Sequence, residues 1–265
     1  MKPDSLKAST WLLILPGLLL VLILGLPVLA LLLSGVQASL LALLRDPQAA
    51  AALRLSLLTS ASSTAAAILT GTPLAFALAR WPLRGRGWME LIVDLPIVLP
   101  PSVAGLALLL AFGRRGLLGG SLELLGLNLP FSTLAVVLAQ LFVAGPLYVR
   151  SARIGFAAVD KQLEEAAVTE GANPWQLFRY VMVPVAQSAL LSGALLCWAR
   201  ALGEFGATLL FAGNLVGRTQ TMPLAIYVGL ESNRGVAVAL SVVLLGVSAI
   251  LLALLRRFER NWKAG

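Results

Sequence analysis

The sequence predicts an all-α, polytopic membrane protein with six transmembrane helices and with both termini in the cytoplasm. Three observations lead to this prediction: the composition, six long uncharged segments and an uneven distribution of basic residues. Hydrophobic residues make up 59% of the 265 residues and charged residues only 12%, whereas a soluble domain carries roughly 25% charged residues. With a mean hydropathy of +0.91, the chain has too little polar surface to fold in water, so a bilayer must be its solvent.

Six apolar segments approach or exceed the length that a membrane-crossing helix requires, which is about 20 residues. They cover residues 11–33, 56–79, 91–112, 134–149, 185–211 and 236–255 of a single transmembrane domain, 1–265. The first segment has two interpretations, a membrane helix and a cleaved signal peptide. Its apolar region is longer than the roughly 7–15 residues of such a peptide. No convincing small-x-small cleavage site follows, so we expect an uncleaved helix.

The basic residues orient these helices, because cytoplasmic loops of membrane proteins are enriched in Lys and Arg. With a cytoplasmic N-terminus, the inner side holds Lys2, Lys7, Arg80, Arg84, Arg86, Arg150, Arg153, Lys161, Arg179, Arg256, Arg257, Arg260 and Lys263. The outer side then holds Arg45, Arg54, Arg114, Arg115, Arg218 and Arg234, and one further arginine, Arg200, lies within a helix. The excess on the inner side predicts that the N- and C-termini are both cytoplasmic.

Several functional classes are excluded by composition. The net charge of +8 does not indicate nucleic-acid binding, because the basic residues lie between apolar runs and form no stripe with interleaved aromatics. The chain has no histidine and one cysteine, so we expect no metal site, no cofactor and no catalytic residue. Cys197 lies in an apolar segment and is expected to be a small helix-packing residue.

The longest polar segment, 150–184, faces the cytoplasm in this topology and contains signals for two short helices. Asp160 can cap the N-terminus of the first helix, and Gly171 can end it in the left-handed conformation. The tetrapeptide 173–176, Asn-Pro-Trp-Gln, provides an N-cap, a proline at the first helical position and a capping-box glutamine for the second. The simplest interpretation is a solvated helical hairpin that joins two membrane helices.

A more specific interpretation comes from the motif within this loop. Glu165-Ala166-Ala167 is followed by Gly171 and, further on, by the sequence Val-Met-Val-Pro at 181–184. This pattern resembles the EAA loop of the permease subunits of ABC importers in spacing, in its cytoplasmic side and in its position between the fourth and fifth membrane helices. The family pattern has Ile and Leu where this chain has valine at positions 181 and 183.

The resemblance implies a type I ABC importer permease fold in a prokaryotic inner membrane, with a homodimer of permease subunits. In that family the loop forms coupling helices that sit in a cleft of the ATPase subunit. The residues expected at or beside this contact are Glu164, Glu165, Ala166, Ala167, Gly171 and Trp175. The chain has no Gly-x4-Gly-Lys-Ser/Thr phosphate loop, so it is not expected to be an enzyme. A separate ATPase dimer and an extracytoplasmic oxyanion-binding protein are the implied partners.

Two further segments resemble the molybdate group within this family. The first is 94–105 with its continuation 112–116, and the second is 199–208 with its continuation 213–227. Sulfate/thiosulfate permeases are similar to the beginning of the second segment, and tungstate is hard to separate from molybdate because the two oxyanions share charge and shape. The sequence therefore leaves molybdate, tungstate and sulfate open, with molybdate favoured. A secondary carrier is disfavoured, since no repeat is apparent and Glu204 is the only deep acidic residue.

Arg200 and Glu204 form a candidate pore or gate. Ionisable residues inside a membrane are costly and usually face a bundle interior or a water-filled path. At i and i+4 of one helix the two side chains can neutralise each other, and Gly203 and Gly206 would let a neighbouring backbone come close. A role in the anion path and a purely structural ion pair both remain open.

Prolines and outer arginines complete the set of candidate features. Pro96, Pro100 and Pro101 are expected to interrupt the third membrane helix, either as a kink or where the backbone lines a cavity. Arg114 and Arg115 lie on the outer side, where they could attract an anion, dock an acidic patch on a binding protein or serve as ordinary loop charges.

Overall fold

The computed structural model describes the backbone of residues 3–37 and 46–263, and the side chains of 14–35 and 46–257. Lys2 and Arg45, which entered the prediction of orientation, lie outside the described residues. Over the described ranges the chain is helical and has no strand. The helices are α1 (Pro3–Gln37), α2 (Pro47–Arg80), α3 (Arg86–Val98), α4 (Pro101–Phe112), α5 (Gly119–Leu124), α6 (Thr133–Ala157), α7 (Lys161–Thr169), α8 (Pro174–Leu202), α9 (Gly206–Ala212), α10 (Met222–Ser232) and α11 (Arg234–Lys263).

Five helices in the described ranges are long and apolar enough to cross a membrane. They are Ile14–Gly35 within α1, the whole of α2, α6 and α8, and Arg234–Arg257 within α11. The first, second, fourth and sixth segments of the sequence prediction lie on these helices, and most of the fifth does. The fold is therefore a helical membrane bundle, as predicted. The third segment differs.

The third predicted segment, 91–112, is not one helix. It is divided between α3 and α4, because Leu99 and Pro100 both have extended backbone conformations. Each is followed by a proline, which disfavours the helical conformation in the preceding residue. The expected interruption is thus confirmed at Pro100 and Pro101, whereas Pro96 is accommodated inside α3. The count of six membrane crossings then depends on α3 and α4 crossing together and stays a prediction.

The fifth predicted segment, 185–211, is also divided. Helix α8 begins earlier, at Pro174, and ends at Leu202, and α9 begins only at Gly206. The prediction of one continuous helix through Phe211 was therefore wrong. A helix was also missed in the following loop: α10 begins behind Thr221 and has a proline in its first turn, a start signal that is visible in the sequence.

The centre of the bundle is formed by α2, α6 and α8, which meet through small residues. Ala75, Ala144, Ala152 and Cys197 are fully buried there, and a Cβ added to Gly193 would lie 2.7 Å from the Cβ of Ser151. Small residues allow helix backbones to approach closely inside a membrane. The expectation that Cys197 is a packing residue is confirmed.

Helix α1 lies at the edge of this bundle. Its large apolar side chains are exposed all around the helix, for example Leu15, Val21 and Leu24. It contacts α11, where Gly35 lies against Val242. A helix that is apolar on every face and unburied within its own chain is suited to contact with membrane lipid.

Candidate functional site

The helical hairpin formed by α7 and the first turns of α8, residues 160–178, has the caps that its sequence encodes. The Asp160 carboxylate accepts a hydrogen bond from the Gln162 backbone N–H at 2.9 Å, and α7 ends before Gly171, whose φ is +86°. The Asn173 side chain accepts from the Gln176 N–H, and the Gln176 side chain accepts from the Asn173 N–H, each at 2.9 Å. The predicted N-cap, left-handed glycine and capping box are all confirmed.

The hairpin presents an exposed surface with an unusual share of apolar groups. None of the nine residues of α7 is buried, and Glu165 and Ala166 are exposed while Ala167 is half-buried. Trp175 of α8 is 67% exposed. Exposed large apolar side chains that lie close together are a common feature of surfaces that contact other macromolecules. Glu165, Ala166, Gly171 and Trp175 therefore lie where a partner can reach them.

Glu164 differs from its neighbours because it points back to the membrane helices. Its Oε1 lies 3.2 Å from Nε of Arg80, the last residue of α2. The same guanidinium donates a hydrogen bond to the carbonyl oxygen of Val159. Sequence reasoning treated Arg80 only as a topological charge, and no local signal connects it to a residue so distant in the chain.

Aromatic side chains pack beneath the hairpin. The Phe76 ring of α2 lies 5.5 Å from that of Phe156 and 5.1 Å from that of Phe178, both in edge-on geometry. Phe178 also lies 5.8 Å from Trp175. Edge-on aromatic pairs at these distances are favourable beyond their area burial. The cluster joins the C-terminal ends of α2 and α6 to the beginning of α8, and the sequence analysis did not identify it.

A second ion-pair group lies at the N-terminal end of α3. Glu90 pairs with Arg86 at 2.8 Å and with Arg153 of α6. The hydrogen bond from Arg86 is the main cause that lowers the pKa of the Glu90 carboxyl below its ordinary value, and the nearby Arg153 charge adds to it. This group ties α3 to α6 without contacting α7.

In the membrane interior, Arg200 and Glu204 form the predicted ion pair, with 2.8 Å between Arg200 Nη1 and Glu204 Oε2. Their backbone arrangement was predicted wrongly, because Glu204 lies beyond the end of α8. Its other oxygen, Oε1, accepts a hydrogen bond from the Ala207 N–H at 2.8 Å. The carboxylate thus caps the N-terminus of α9, where the helix dipole favours a negative charge. Glu204 is 1% exposed and Arg200 36%, so the pair is open on the arginine side only.

The two interrupted helices meet at their breaks. A Cβ on Gly206, at the start of α9, would lie 2.7 Å from the Cβ of Pro101, at the start of α4. One on Gly105 would lie 2.8 Å from the Cβ of Leu210. The close approach expected at Gly206 is confirmed. Gly203 is exposed, and a Cβ there would meet nothing closer than 3.7 Å in the described part of the chain, so a close approach at Gly203 by a second copy stays a prediction.

Polar side chains of α2 fasten the neighbouring helices. The Ser56 hydroxyl accepts a hydrogen bond from the Met222 N–H at 2.7 Å, and the Ser60 hydroxyl accepts from the Trp198 indole at 2.9 Å. Both serines are fully buried. These bonds link α2 to the beginning of α10 and to α8, next to Arg200.

On the predicted outer side, Arg114 and Arg115 are exposed. Nε of Arg114 donates to the Asn128 side chain at 3.3 Å. Both arginines line an open apolar groove together with Leu110 and Phe131. Their predicted role in attracting an anion or a binding protein stays a prediction.

Comparison with known proteins places these features in one family. Residues 67–264 match the family described as "binding-protein-dependent transport system inner membrane component". The molybdenum transport system permease protein ModB of Mycobacterium tuberculosis is 45% identical over 212 residues, covering 79% of this chain and 80% of the relative. The molybdate/tungstate transport system permease protein WtpB of Thermococcus kodakarensis is 36% identical over 211 residues, covering 78% and 79%.

The fold agrees with this assignment. A chain from the crystal structure of a bacterial alginate ABC transporter, in complex with a periplasmic protein bound to an alginate pentasaccharide, superposes with a TM-score of 0.77. The alignment covers 97% of this chain and 96% of that one, at 17% sequence identity. Since the family match spans most of the chain and the relatives are similar along most of their own length, this chain belongs to the family of inner membrane components of binding-protein-dependent transport systems.

Proposed function

We propose that this chain is the membrane-spanning permease subunit of an ATP-driven importer that carries an oxyanion, molybdate, into the cytoplasm. The observation that carries the proposal is the cytoplasmic hairpin, whose α7 buries none of its residues and whose motif 165–171 has the sequence of a coupling loop. A helix without a buried residue contributes little to the packing of its own chain. Its exposed small and apolar residues suit the docking of a partner protein.

The partner at this surface is a cytoplasmic ATPase dimer. Glu165, Ala166, Ala167, Gly171 and Trp175 form the contact, with Glu164 beside it. The sequence contains no phosphate-binding loop of the Gly-x4-Gly-Lys-Ser/Thr type, so the energy of transport comes from ATP hydrolysis in that partner. The chain itself performs no chemical step.

The membrane part is a homodimer with six crossings per chain and both termini in the cytoplasm, in the inner membrane of a prokaryotic cell. The Arg200–Glu204 pair and Gly206 lie at the break between α8 and α9, where two copies form the pore. Arg200 faces the less buried side of the pair, which suits a cation that meets an anion path. If Arg200→Gln leaves oxyanion uptake and its coupling to ATP hydrolysis unchanged at normal expression, the pair is structural only.

The substrate follows from two relatives, one named for molybdenum and one for molybdate and tungstate. Tungstate is the first alternative and sulfate or thiosulfate the second, because segment 199–208 resembles that group as well. Selection among the oxyanions is made mainly by the extracytoplasmic binding protein that delivers the substrate.

The test is reconstitution of the chain with its ATPase subunit and its binding protein in liposomes. Molybdate is expected to stimulate ATP hydrolysis and to accumulate in the liposomes, more strongly than sulfate. Uptake driven by an ion gradient without ATP would instead support a stand-alone secondary transporter. Stimulation by a sugar or an amino acid, with none by an oxyanion, would remove the substrate assignment.

A further inference from the structure

Helix α7 is attached to the rest of the chain by few contacts. None of its residues is buried, and large side chains such as Leu163 and Val168 are about half exposed. Only Glu164 and Ala167 are partly covered. Little apolar packing fixes α7 beyond its contacts with residues 177–182, so polar contacts contribute to its position.

Those contacts come from one residue of α2. Arg80 is 11% exposed and pairs through Nε with Glu164, which is 25% exposed. Its Nη2 donates to the carbonyl oxygen of Val159, directly before the N-cap Asp160. The planar guanidinium thus holds one point before α7 and one within its first turns. One hydrogen bond directly before α7 and one charge contact within the helix together restrain its position relative to α2.

The segments on either side of α7 are attached to the same end of α2 by aromatic packing. Phe76, one turn before Arg80, contacts Phe156 at the end of α6 and Phe178 near the start of α8. The end of α2 at Arg80 therefore contacts the segments before and after α7 through Phe76, and α7 itself through Arg80. Arg80 is the side chain through which it reaches α7.

We propose that Arg80 is a positioning residue, which through Glu164 and the Val159 carbonyl couples the orientation of α7 to transmembrane helix α2. The inference rests on the proposed function, since it gives α7 the role of the coupling helix. It assigns different partners to adjacent acidic residues: Glu164 binds Arg80 within the chain, whereas Glu165 is exposed to the ATPase subunit. A displacement of α7 by that subunit then moves the end of α2, which packs against α6 and α8.

The experiment uses the complete transporter, with ATPase subunit and binding protein, in liposomes. The variants are Arg80→Gln, Glu164→Gln and the double variant, with Arg80→Lys as the conservative replacement. Arg86→Gln is the matched control, because it removes another Arg–Glu ion pair on the same side that does not touch α7. The readouts are molybdate uptake per ATP hydrolysed and the amount of ATPase subunit that co-purifies.

Each single variant is expected to lower uptake per ATP by about fivefold, the factor that corresponds to losing a partly exposed ion pair. Co-purification of the ATPase subunit stays at the wild-type level. The double variant is expected to be no worse than either single variant, because both remove the same interaction. Arg80→Lys restores part of the ratio, since a lysine keeps one of the two contacts, and Arg86→Gln leaves the ratio unchanged.

Three results would overturn the proposal. The first is wild-type coupling in both single variants. The second is loss of the ATPase subunit in Glu164→Gln but not in Arg80→Gln, which would place Glu164 at the subunit contact. The third is a double variant whose defect is the product of the two single defects. If Arg80→Gln does not accumulate in the membrane, the partly exposed Glu164→Gln is read against wild type alone, and either unchanged uptake per ATP or loss of the ATPase subunit in that variant overturns the proposal. A wild-type chain without ATP-dependent uptake would remove the proposed function and this inference together.

Discussion

The shape of the hairpin is held by hydrogen bonds between residues that are close in the chain, whereas the helix breaks in the bundle are held by contacts between distant residues. Asn173 and Gln176 satisfy each other's backbone donors within one turn. The break at 203–205, by contrast, is fixed where Gly206 meets Pro101. The hairpin can therefore keep its shape while it moves as a unit. The breaks keep theirs only while α4 and α9 stay packed.

The difference bears on the coupling role that we propose for the hairpin. A coupling element has to transmit a displacement without unfolding, and local caps provide that at a low cost in packing. Interrupted helices inside a membrane are tolerated only where the freed backbone groups are satisfied by neighbours. Glu204 does this for the Ala207 N–H, and its ion pair with Arg200 belongs to the same arrangement.

The largest effect is expected from Glu204→Ala. The change removes the cap of α9 and leaves Arg200 in the membrane interior without its partner, which together should cost about 3 kcal/mol of unfolding free energy. Thermal unfolding of the purified protein in detergent measures it. The comparison variant Asp160→Ala removes a cap on the hairpin and should leave global unfolding nearly unchanged. Equal losses of unfolding free energy in Glu204→Ala and Asp160→Ala would contradict this. The carboxylate at the helix break would then be no more important for stability than the one at the hairpin.

The second-largest effect is expected at the contact between the two helix breaks, where Gly206 meets Pro101. Gly206→Ala places a Cβ against the Pro101 ring, which cannot move far, and should cost about 2 kcal/mol by overpacking. Gly246→Ala is the matched control, because a Cβ at this glycine of α11 meets nothing within 4 Å and should be neutral or slightly stabilising. Melting temperatures of the two variants decide the point. A Gly206→Ala protein as stable as wild type would show that α4 and α9 can separate without loss.

The same distinction explains which features could be predicted from the sequence. The caps at Asp160 and Asn173 and the left-handed Gly171 are encoded by residue types within a few positions, so they were predicted residue by residue. The interruption at Pro100 was predicted, because proline acts on its own neighbour. The end of α8 at Leu202 was not, since Gly203 is compatible with a helix. Neither was the Arg80–Glu164 pair, because its partners are brought together only by the packing of α2 against α6.

A smaller effect is expected in the hairpin itself. Asn173→Ala removes one half of the capping box and should weaken the start of α8 by about 1 kcal/mol, without changing the melting temperature of the bundle. Hydrogen exchange of the backbone amides at 173–178 is the measurement, and it should become faster by about fivefold. Thr169→Ala, whose hydroxyl bonds only to a carbonyl one turn earlier, is the control on the same hairpin. Faster exchange throughout α8 would mean that the hairpin is not an independent unit.

The smallest effect is expected at Glu90, which has one ion-pair partner on its own helix and one on another helix. Glu90 is paired with Arg86 one turn earlier on its own helix and with Arg153 on α6. Because the pKa of Glu90 is lowered in the folded protein, its charge stabilises the fold at neutral pH, by about 0.5 kcal/mol for such a partly exposed group. This contribution is present above the ordinary glutamate pKa of 4.5 and is lost as the pH falls through the lower folded value. The melting temperatures of wild type and Glu90→Gln should therefore differ at neutral pH and converge in acid.

The same comparison in an Arg86→Gln background should show a smaller difference than in an Arg153→Gln background, because Arg86 is the main cause of the lowered pKa. The reverse order would mean that the distant contact between α3 and α6 outweighs the local one.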